Sequence, residues 1–584
     1  MDLSDEVAKY KADMSELYRK SEQHKNQTKK SRIFDSIKKR SISEIRNTKN
    51  TGYRFLFWRL KGISKRPIFL EMNFAKYLID QKNIHVDVAL CDGILSGCID
   101  MTVFTDKNTV KSMRRWKSQC SKCLGVGRSL LKASNVSSHY TSKWITPEKI
   151  IELRHFADEI DIDQIEDYEV DGTPLGDISI TGVLRYFRSS ETGRNVTNDS
   201  NEYLKRIMRE YFYSSLVSHH VSKQALLDLK PDYVFIFRGM YPLWAPMVYN
   251  AVHADIPITC WLNGYQKDSV FMKGYDQDEG FTQFQSPQRK HWEKVKKIPL
   301  NKKQKKTVNL YMTNRIEELR RQPQFWYGYQ LYGKNFPSAE ELRKKLNISP
   351  DKKIWMINSH CNWDWDIYKE ENALFRDPIQ WLMKTFEIIW DIRDVTWIFR
   401  PHPAEGEQNT FMMSQTMIEN KFGKLPDHIM TLTAQRSKIN TYALFPFIDG
   451  CVTFHSTVGM ELALYGKPVI TCSEGFYGRK GFTYDPETID EYVYMLNNLQ
   501  DIGVLTNEQK ELAERFVYDF WIYRQIPFRS DIYKSNKSNI LFDSIYNQMM
   551  SGDQIGFIPN RITKEDLKMP DWRKRLDSGW KKVK

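Results

Sequence analysis

The stretch GCVTFHSTVGMELALYGKPVITCS, residues 450–473, has the pattern of a strand, a helix and a second strand. GCVTF is a short apolar run, and a helix is expected from Thr457 to Tyr465. Gly466 suits the left-handed position that ends a helix, and Lys467–Pro468 cannot continue it. Two buried strands joined by a helix predict a right-handed parallel crossover, so this region is predicted to be an α/β domain.

The same alternation extends through both halves of the chain. Strands are expected in KKIWMINSH (352–360), DVTWIFRPHP (394–403), IHVDVALCDG (84–93), PDYVFIFRG (231–239) and IPITCWLNG (256–264). Helical apolar spacing occupies 378–391. These patterns predict an α/β fold with two Rossmann-like domains, each with a parallel sheet, facing across a cleft with ligands at the carboxyl ends of the strands.

Changes in composition divide the chain into four expected segments. Residues 1–50 are a charged helical extension, and 51–330 are the N-terminal Rossmann-like acceptor domain. Residues 335–490 are the C-terminal Rossmann-like donor domain. Residues 491–584 form a helical segment with a basic tail, which is expected to pack back on the N-terminal domain.

The bulk composition excludes a disordered chain and a membrane-embedded one, because 41% of residues are hydrophobic and 27% are charged. The charged N-terminus lacks the apolar core of a secretory signal, so a cytoplasmic location is expected. The net charge of +14 is compatible with nucleic acid, an anionic membrane, an anionic substrate or a solvated surface. Without an RNA-recognition or zinc-finger pattern, nucleic acid is disfavoured, and peripheral contact with the inner membrane face, for example through the tail from Met569, stays open.

Two motifs at predicted strand ends offer chemistry for a phosphate. In FRPHP (399–403), Arg400 supplies a planar fork and His402 a further donor, and prolines stiffen the exit. In FHSTVGME (454–461), His455, Ser456 and Thr457 lie where a strand turns into a helix, whose N–H groups bind anions. The alternatives are a simple helix cap and a rigid turn.

These motifs, with KIWMINSHCNWDWD and PDYVFIFRGMYPLWAPMVYNA upstream, resemble the bacterial capsule and surface-polysaccharide glycosyltransferases. Those are GT-B proteins related to the capsule Kdo-transferases and polysialyltransferases. The resemblance covers roughly residues 65–125 and 225–490. It implies transfer of a sugar from a nucleotide-sugar donor to a surface-polysaccharide or lipid-linked glycan acceptor.

The resemblance also implies a set of donor-binding residues. A His-Pro motif and a Ser/Thr motif contact the donor phosphate in those relatives, and here they correspond to His402–Pro403 and Ser456–Thr457. The first strand-end loop of the donor domain adds plausible ligand-facing residues, and Glu461 lies one turn inside the helix, within reach of a sugar hydroxyl. The full predicted donor-binding set is Ser359, His360, Asp364, Arg400, His402, Pro403, His455, Ser456, Thr457 and Glu461.

The catalytic residues are predicted to be His402, which stabilises the phosphate, and a general base from the N-terminal domain. The relatives carry an acidic element followed by glycine, but this chain has Asn263–Gly264 at that position. Asp278 and Glu279 follow and are the candidate bases; a solvated acidic loop is the alternative. No cofactor is expected to be required, and Asp364-Trp365-Asp366 has only the form of a metal motif.

Four cysteines, Cys91, Cys98, Cys120 and Cys123, have one Cys-x2-Cys half that fits a structural zinc site. Reduced, buried thiols are the other interpretation. For the whole chain, two alternatives to glycosyl transfer stay open: polyol-phosphate transfer from a CDP-glycerol-type donor, and a non-catalytic subunit that binds nucleotide or glycan.

Overall fold

The computed structural model describes most of the chain. The described residues are 2–28, 52–63, 65–99, 109–134, 136–187, 202–266, 269–321, 335–360, 374–402, 405, 413–527 and 537–556. Asp364, Pro403 and the basic tail from Met569, which the sequence singles out, lie outside these residues.

Helices and strands alternate along the chain. Helices α1 to α18 span Leu3–Thr28, Lys65–Lys82, Thr109–Ser134, Pro147–Glu159, Ile162–Ile165, Leu175–Phe187, Glu202–Leu229, Tyr241–His253, Arg289–Val295, Lys302–Arg321, Ala339–Leu346, Pro378–Ile389, Ser414–Phe422, Ala434–Ser437, Thr457–Leu464, Ile489–Asn497, Asn507–Tyr518 and Lys537–Ser551. Strands β1 to β12 span Arg54–Leu60, His85–Leu90, Ser137–Tyr140, Tyr233–Phe237, Ile258–Asn263, Ser269–Tyr275, Lys353–Asn358, Val395–Arg400, Ile429–Thr431, Gly450–Thr453, Val469–Thr471 and Ile526–Pro527.

The chain divides into two compact units. Unit 2 is formed mainly by Thr282–Gln525, and unit 1 by the chain before it together with the segment that begins at Ile526. The boundary therefore precedes the expected one at 330, because α9 and α10 pack on α17 of unit 2. Residues 491–525 also belong to unit 2, whereas the described chain from Ile526 returns to unit 1.

Unit 1 contains a seven-stranded sheet in the order β12-β6-β5-β4-β1-β2-β3. Strands β1 to β5 pair in parallel, and β6 and β12 add an antiparallel edge. Helix α1, Leu3–Thr28, packs against α3 of unit 1.

Unit 2 contains a five-stranded, wholly parallel sheet in the order β11-β10-β7-β8-β9. Its strands are mostly apolar because helices cover both faces of such a sheet. Its core includes Trp355, Ile357, Trp381, Phe386, Trp397, Phe399, Val452 and Phe454. Two α/β units with parallel sheets confirm the predicted fold class. No helix in the described ranges is long and apolar enough to cross a membrane.

The register of unit 2 brings three strand ends to one level. Asn358 of β7 pairs with Arg400 of β8 on one side and with Thr453 of β10 on the other. The residues that follow each strand therefore emerge together at the carboxyl edge of the sheet.

Candidate functional site at the carboxyl edge of unit 2

The order of strands in unit 2 reverses between β7 and β10. The chain moves outward from β7 to β8 and β9, then continues on the other side of β7 as β10 and β11. In open α/β sheets, ligands bind in the crevice at such a switch point, outside the carboxyl ends of the strands. The polar residues after β7, β8, β10 and β11 are therefore candidates for a ligand site.

Two histidines flank the switch point. The ring of His360, after β7, lies 4.1 Å from the ring of His455, after β10, measured between centroids. His455 is buried, and its Nδ1 lies 3.3 Å from Ser473 Oγ, after β11. Burial, and then the neighbouring His360, lower the pKa of His455 well below the usual range of an imidazole. His455 is therefore neutral at physiological pH, so one ring nitrogen donates and the other accepts.

Ser359 ties the loop after β7 to the loop after β8. Its hydroxyl accepts a 2.8 Å hydrogen bond from the backbone N–H of His402, and its own N–H donates to Arg400 O at 3.2 Å. Ser359 is buried, whereas His402 is partly exposed. The hydrogen bond to Ser359 thus holds the backbone of His402 in place, and His402 itself is partly accessible to solvent.

The start of α15 lies beside the histidine pair. Thr453 Oγ1 donates to Asn358 O at 2.9 Å and accepts from Ser456 N–H at 3.3 Å, which joins β10 to β7. Ser456 is the N-cap, because its Oγ accepts from Val458 N–H at 3.4 Å. The capping alternative thus holds for Ser456. Thr457 is the first residue of α15 and is partly exposed. Its backbone N–H lies at the N-terminal end of the helix, where anions are stabilised.

Arg400 does not present its guanidinium to a ligand. Its side chain is fully buried and donates to Leu432 O, Ile439 O and Thr441 Oγ1 at 2.7–3.2 Å. The expectation that Arg400 binds phosphate is corrected: the side chain of the last residue of β8 turns inward and holds the chain after β9 instead.

Glu461 also lies in the interior, since it is 1% exposed. Burial, and to a smaller extent the charge of Glu461, raise the pKa of both Tyr465 and Tyr477. Glu461 is buried among the side chains behind the helix, which does not favour the expected contact with a sugar hydroxyl.

Two residues of this edge were not predicted. Ser473 could have been found, because it is the polar residue that ends the strand-like run 468–473. Glu405 gave no local signal. Its Oε2 accepts hydrogen bonds from Ser414 N–H at 2.9 Å and from Ser414 Oγ at 2.7 Å. Glu405 therefore links the chain after β8 to the start of α13. Burial raises the pKa of Glu405 to about 7.

The two candidate bases occupy different environments in unit 1. Glu279 is buried, and its Oε1 lies 3.0 Å from Nζ of the fully buried Lys273. Asp278 is exposed. The Glu279 carboxylate is buried against Lys273 and out of reach of an acceptor, whereas Asp278 is exposed, so Asp278 is the better candidate of the pair.

The four-cysteine zinc site is not formed in the described part of the chain, where no group of three or more His, Cys, Asp or Glu side chains could hold a metal ion. None of the four forms a disulfide bond within the described residues. Cys123 Sγ accepts from Gly62 N–H at 3.0 Å, and burial, then Asp92, raise the pKa of Cys91 to about 12. A metal would need the thiolate, so the geometry favours reduced thiols.

Comparison with solved structures gives weak similarities over much of the chain. A UDP-GlcNAc 2-epimerase from Neisseria meningitidis bound to UDP-GlcNAc is 10% identical, covers 80% of this chain and 95% of its own, and has a TM-score of 0.23. The β-Kdo 2,4 transferase KpsC of Thermosulfurimonas dismutans is 10% identical, with coverages of 48% and 78% and a TM-score of 0.24. The glycosyltransferase SnogD from Streptomyces nogalater is 12% identical, with coverages of 80% and 94% and a TM-score of 0.22.

The group that the His-Pro and His-Ser-Thr motifs resemble is thus represented among the solved structures similar to this chain. No protein-family model and no curated protein matches this chain. At these TM-scores the similarities carry no argument about activity, which is argued below from the site itself.

Proposed function

We propose that this protein is a glycosyltransferase that moves a sugar from a nucleotide-sugar donor to a surface-polysaccharide or lipid-linked glycan acceptor. Unit 2 would bind the donor. One observation carries the proposal: histidine and serine side chains from the ends of three parallel strands lie together where the strand order reverses.

The chemistry of this edge suits a phosphate group. His360 and His402 supply imidazole donors, and α15 directs its first N–H groups and the positive end of its dipole to the same edge. His455 is held neutral and offers one further donor without charge. Arg400 is not one of the ligands in this proposal, because its donors are bound inside unit 2.

These groups would act on the leaving nucleotide. When the bond to the sugar breaks, negative charge grows on the phosphate, and donors already in place stabilise it without reorganisation. The proposal requires no metal ion. The acceptor hydroxyl needs a base, for which Asp278 of unit 1 is the candidate.

The proposal is tested by binding of UDP, CMP and CDP and by release of free nucleotide from their sugar derivatives. We expect His402→Ala and His360→Ala each to weaken nucleotide binding by about 10- to 100-fold, since a charge-assisted hydrogen bond contributes about 1.5–3 kcal/mol. His253→Ala, on the exposed end of α8, is the matched control and should bind as the wild type does.

The outcomes separate the alternatives. Turnover of CDP-glycerol but of no nucleotide sugar would replace the proposal with polyol-phosphate transfer. Binding without turnover on any glycan acceptor would indicate a binding subunit. If no nucleotide binds, or if both histidine variants bind as tightly as the control, the donor site is not at this edge.

A further inference from the structure

The segment from the end of α9 to the first turn of α10 is strongly basic. Residues 294–306, named here the lysine loop, contain seven lysines and no acidic residue. The sequence pattern of this segment resembles a linker between domains. In the structure it joins two helices, α9 and α10, of the same unit.

An apolar residue lies at the tip of the lysine loop. Ile298 is 62% exposed, and Pro299 beside it is exposed as well. Lys297, Lys302 and Lys303 flank the tip, are exposed, and form no ion pair within the described residues. The tip therefore combines an exposed apolar side chain with exposed lysines close to it in sequence.

The base of the lysine loop is held firmly. Trp292 is buried, and its ring lies 5.5 Å from that of Phe516 on α17. Arg515 donates to Lys296 O, and Lys305 Nζ lies 3.0 Å from Glu511 Oε1. Lys305 therefore forms an ion pair within unit 2. The tip is exposed, and the residues on either side of it are anchored to α17.

We propose that the lysine loop docks on an anionic lipid bilayer. Ile298 would enter the boundary between headgroups and acyl chains, while Lys297, Lys302 and Lys303 contact anionic headgroups. The lysine stems cover apolar surface while their ammonium groups stay at the headgroups. Single-stranded nucleic acid is disfavoured as the partner because Trp292, the aromatic residue nearest to the tip in sequence, is buried and cannot stack on a base.

The test uses the full chain and sedimented vesicles made of equal parts of phosphatidylcholine and phosphatidylglycerol. The triple variant K297Q/K302Q/K303Q should bind about 100-fold more weakly, since each lysine near an anionic surface contributes about 1 kcal/mol. K344Q/K345Q/K353Q removes the same charge from exposed lysines elsewhere in unit 2 and should retain binding.

The apolar contribution has its own pair of variants. Ile298→Ser should weaken vesicle binding roughly tenfold because an apolar side chain leaves the membrane. Val504→Ser, at the 72% exposed Val504, should not. Vesicles of phosphatidylcholine alone should bind the wild-type protein poorly, and added salt should weaken binding to the anionic vesicles.

Several results would overturn the docking proposal. Equal weakening by the two triple variants would mean that total charge decides, and unchanged binding by K297Q/K302Q/K303Q would exclude the loop. Tighter binding to single-stranded DNA than to vesicles, lost in the same variant, would assign the loop to nucleic acid. Nucleotide binding should be unchanged in K297Q/K302Q/K303Q, so failure of the donor site and failure of membrane docking are distinguishable.

Discussion

Unit 1 and unit 2 arrange five parallel strands in the same order, with β5-β4-β1-β2-β3 corresponding to β11-β10-β7-β8-β9. The carboxyl ends of these strands differ. In unit 2 they carry His360, His402, His455 and Ser473 at a polar edge. In unit 1, helices α1 and α3 lie against the ends of β1 and β2.

The contacts at the edge of unit 1 are close. Tyr18 of α1 donates to the buried Asp92 at 2.9 Å, and Asp92 also accepts from Thr141 Oγ1 at 2.7 Å. A Cβ on Gly62 would lie 2.0 Å from Cys123 O of α3. The same strand order therefore permits a ligand site at both edges, and the residues after the strands decide which edge remains polar and which is closed by the protein.

The largest expected effect contrasts two arginines at strand ends. Arg400→Met should lower the free energy of unfolding by about 4 kcal/mol, because three buried acceptors lose their donor. Arg238, after β4, is partly exposed and forms no ion pair in the described part of the chain, so Arg238→Met should cost less than about 1 kcal/mol. Urea unfolding of both variants checks this; similar losses would contradict the assigned difference.

A second contrast concerns buried carboxyl groups. Glu405 has two donors, both from Ser414, and its pKa is raised by burial from 4.5 to about 7. The folded state therefore holds the proton more tightly than the unfolded state. The contribution of Glu405 to the free energy of unfolding should be greatest below pH 4.5 and fall by about 3 kcal/mol as pH rises through 7.

Glu405→Gln should remove that loss. Unfolding of wild type and variant at pH 5 and pH 8 measures it, with the exposed Glu340→Gln as control. Asp92→Asn should destabilise unit 1, because the Asp92 carboxylate accepts hydrogen bonds from Tyr18, Thr141 and Ser142. A pH dependence unaltered by Glu405→Gln would contradict the assigned burial.

Two glycines sharpen the contrast between a closed edge and a polar one. Gly62→Ala should cost about 2–3 kcal/mol, since its Cβ would meet the backbone of α3. In Gly459→Ala the added Cβ would clash with the hydroxyl of Tyr477, which donates to Ser456 O at 2.7 Å. This substitution should cost less stability but weaken nucleotide binding more than Gly62→Ala does, which parallel melting and binding assays would show.

The smallest expected effect tests the cover over unit 1. Tyr18→Phe removes one donor from Asp92 and should cost about 1–2 kcal/mol. Thermal melting with Tyr494→Phe, on the exposed face of α16, as control measures it. Equal melting temperatures for the two variants would mean that α1 does not stabilise unit 1 through this bond.

The fold could be predicted from local pattern because buried parallel strands are continuous apolar runs. The predicted strands at 231–239 and 394–403 contain β4 and β8. The domain boundary, expected at 330, could not, because the unit that a segment joins depends on packing against residues far away in the sequence. Its place follows from Trp292 packing on Phe516, far along the chain.

The site was predicted in part. Strand ends and helix starts are local features, so His360, His402 and His455 were named from sequence alone. The direction in which a side chain points at a strand end depends on contacts with residues distant in sequence. Arg400 turns inward because acceptors at Leu432 and Ile439 lie beneath it, and nothing in FRPHP reveals them.

The return of the chain to unit 1 bears on how the protein is made. Because unit 2 lies between β6 and β12 in sequence, a nascent chain leaving the ribosome forms β6 long before Ile526–Pro527 exists to pair with it. During that interval the outer edge of β6 has unpaired N–H and C=O groups, which can pair with other chains. Chaperone binding to ribosome-bound chains of increasing length should therefore fall once β12 has emerged.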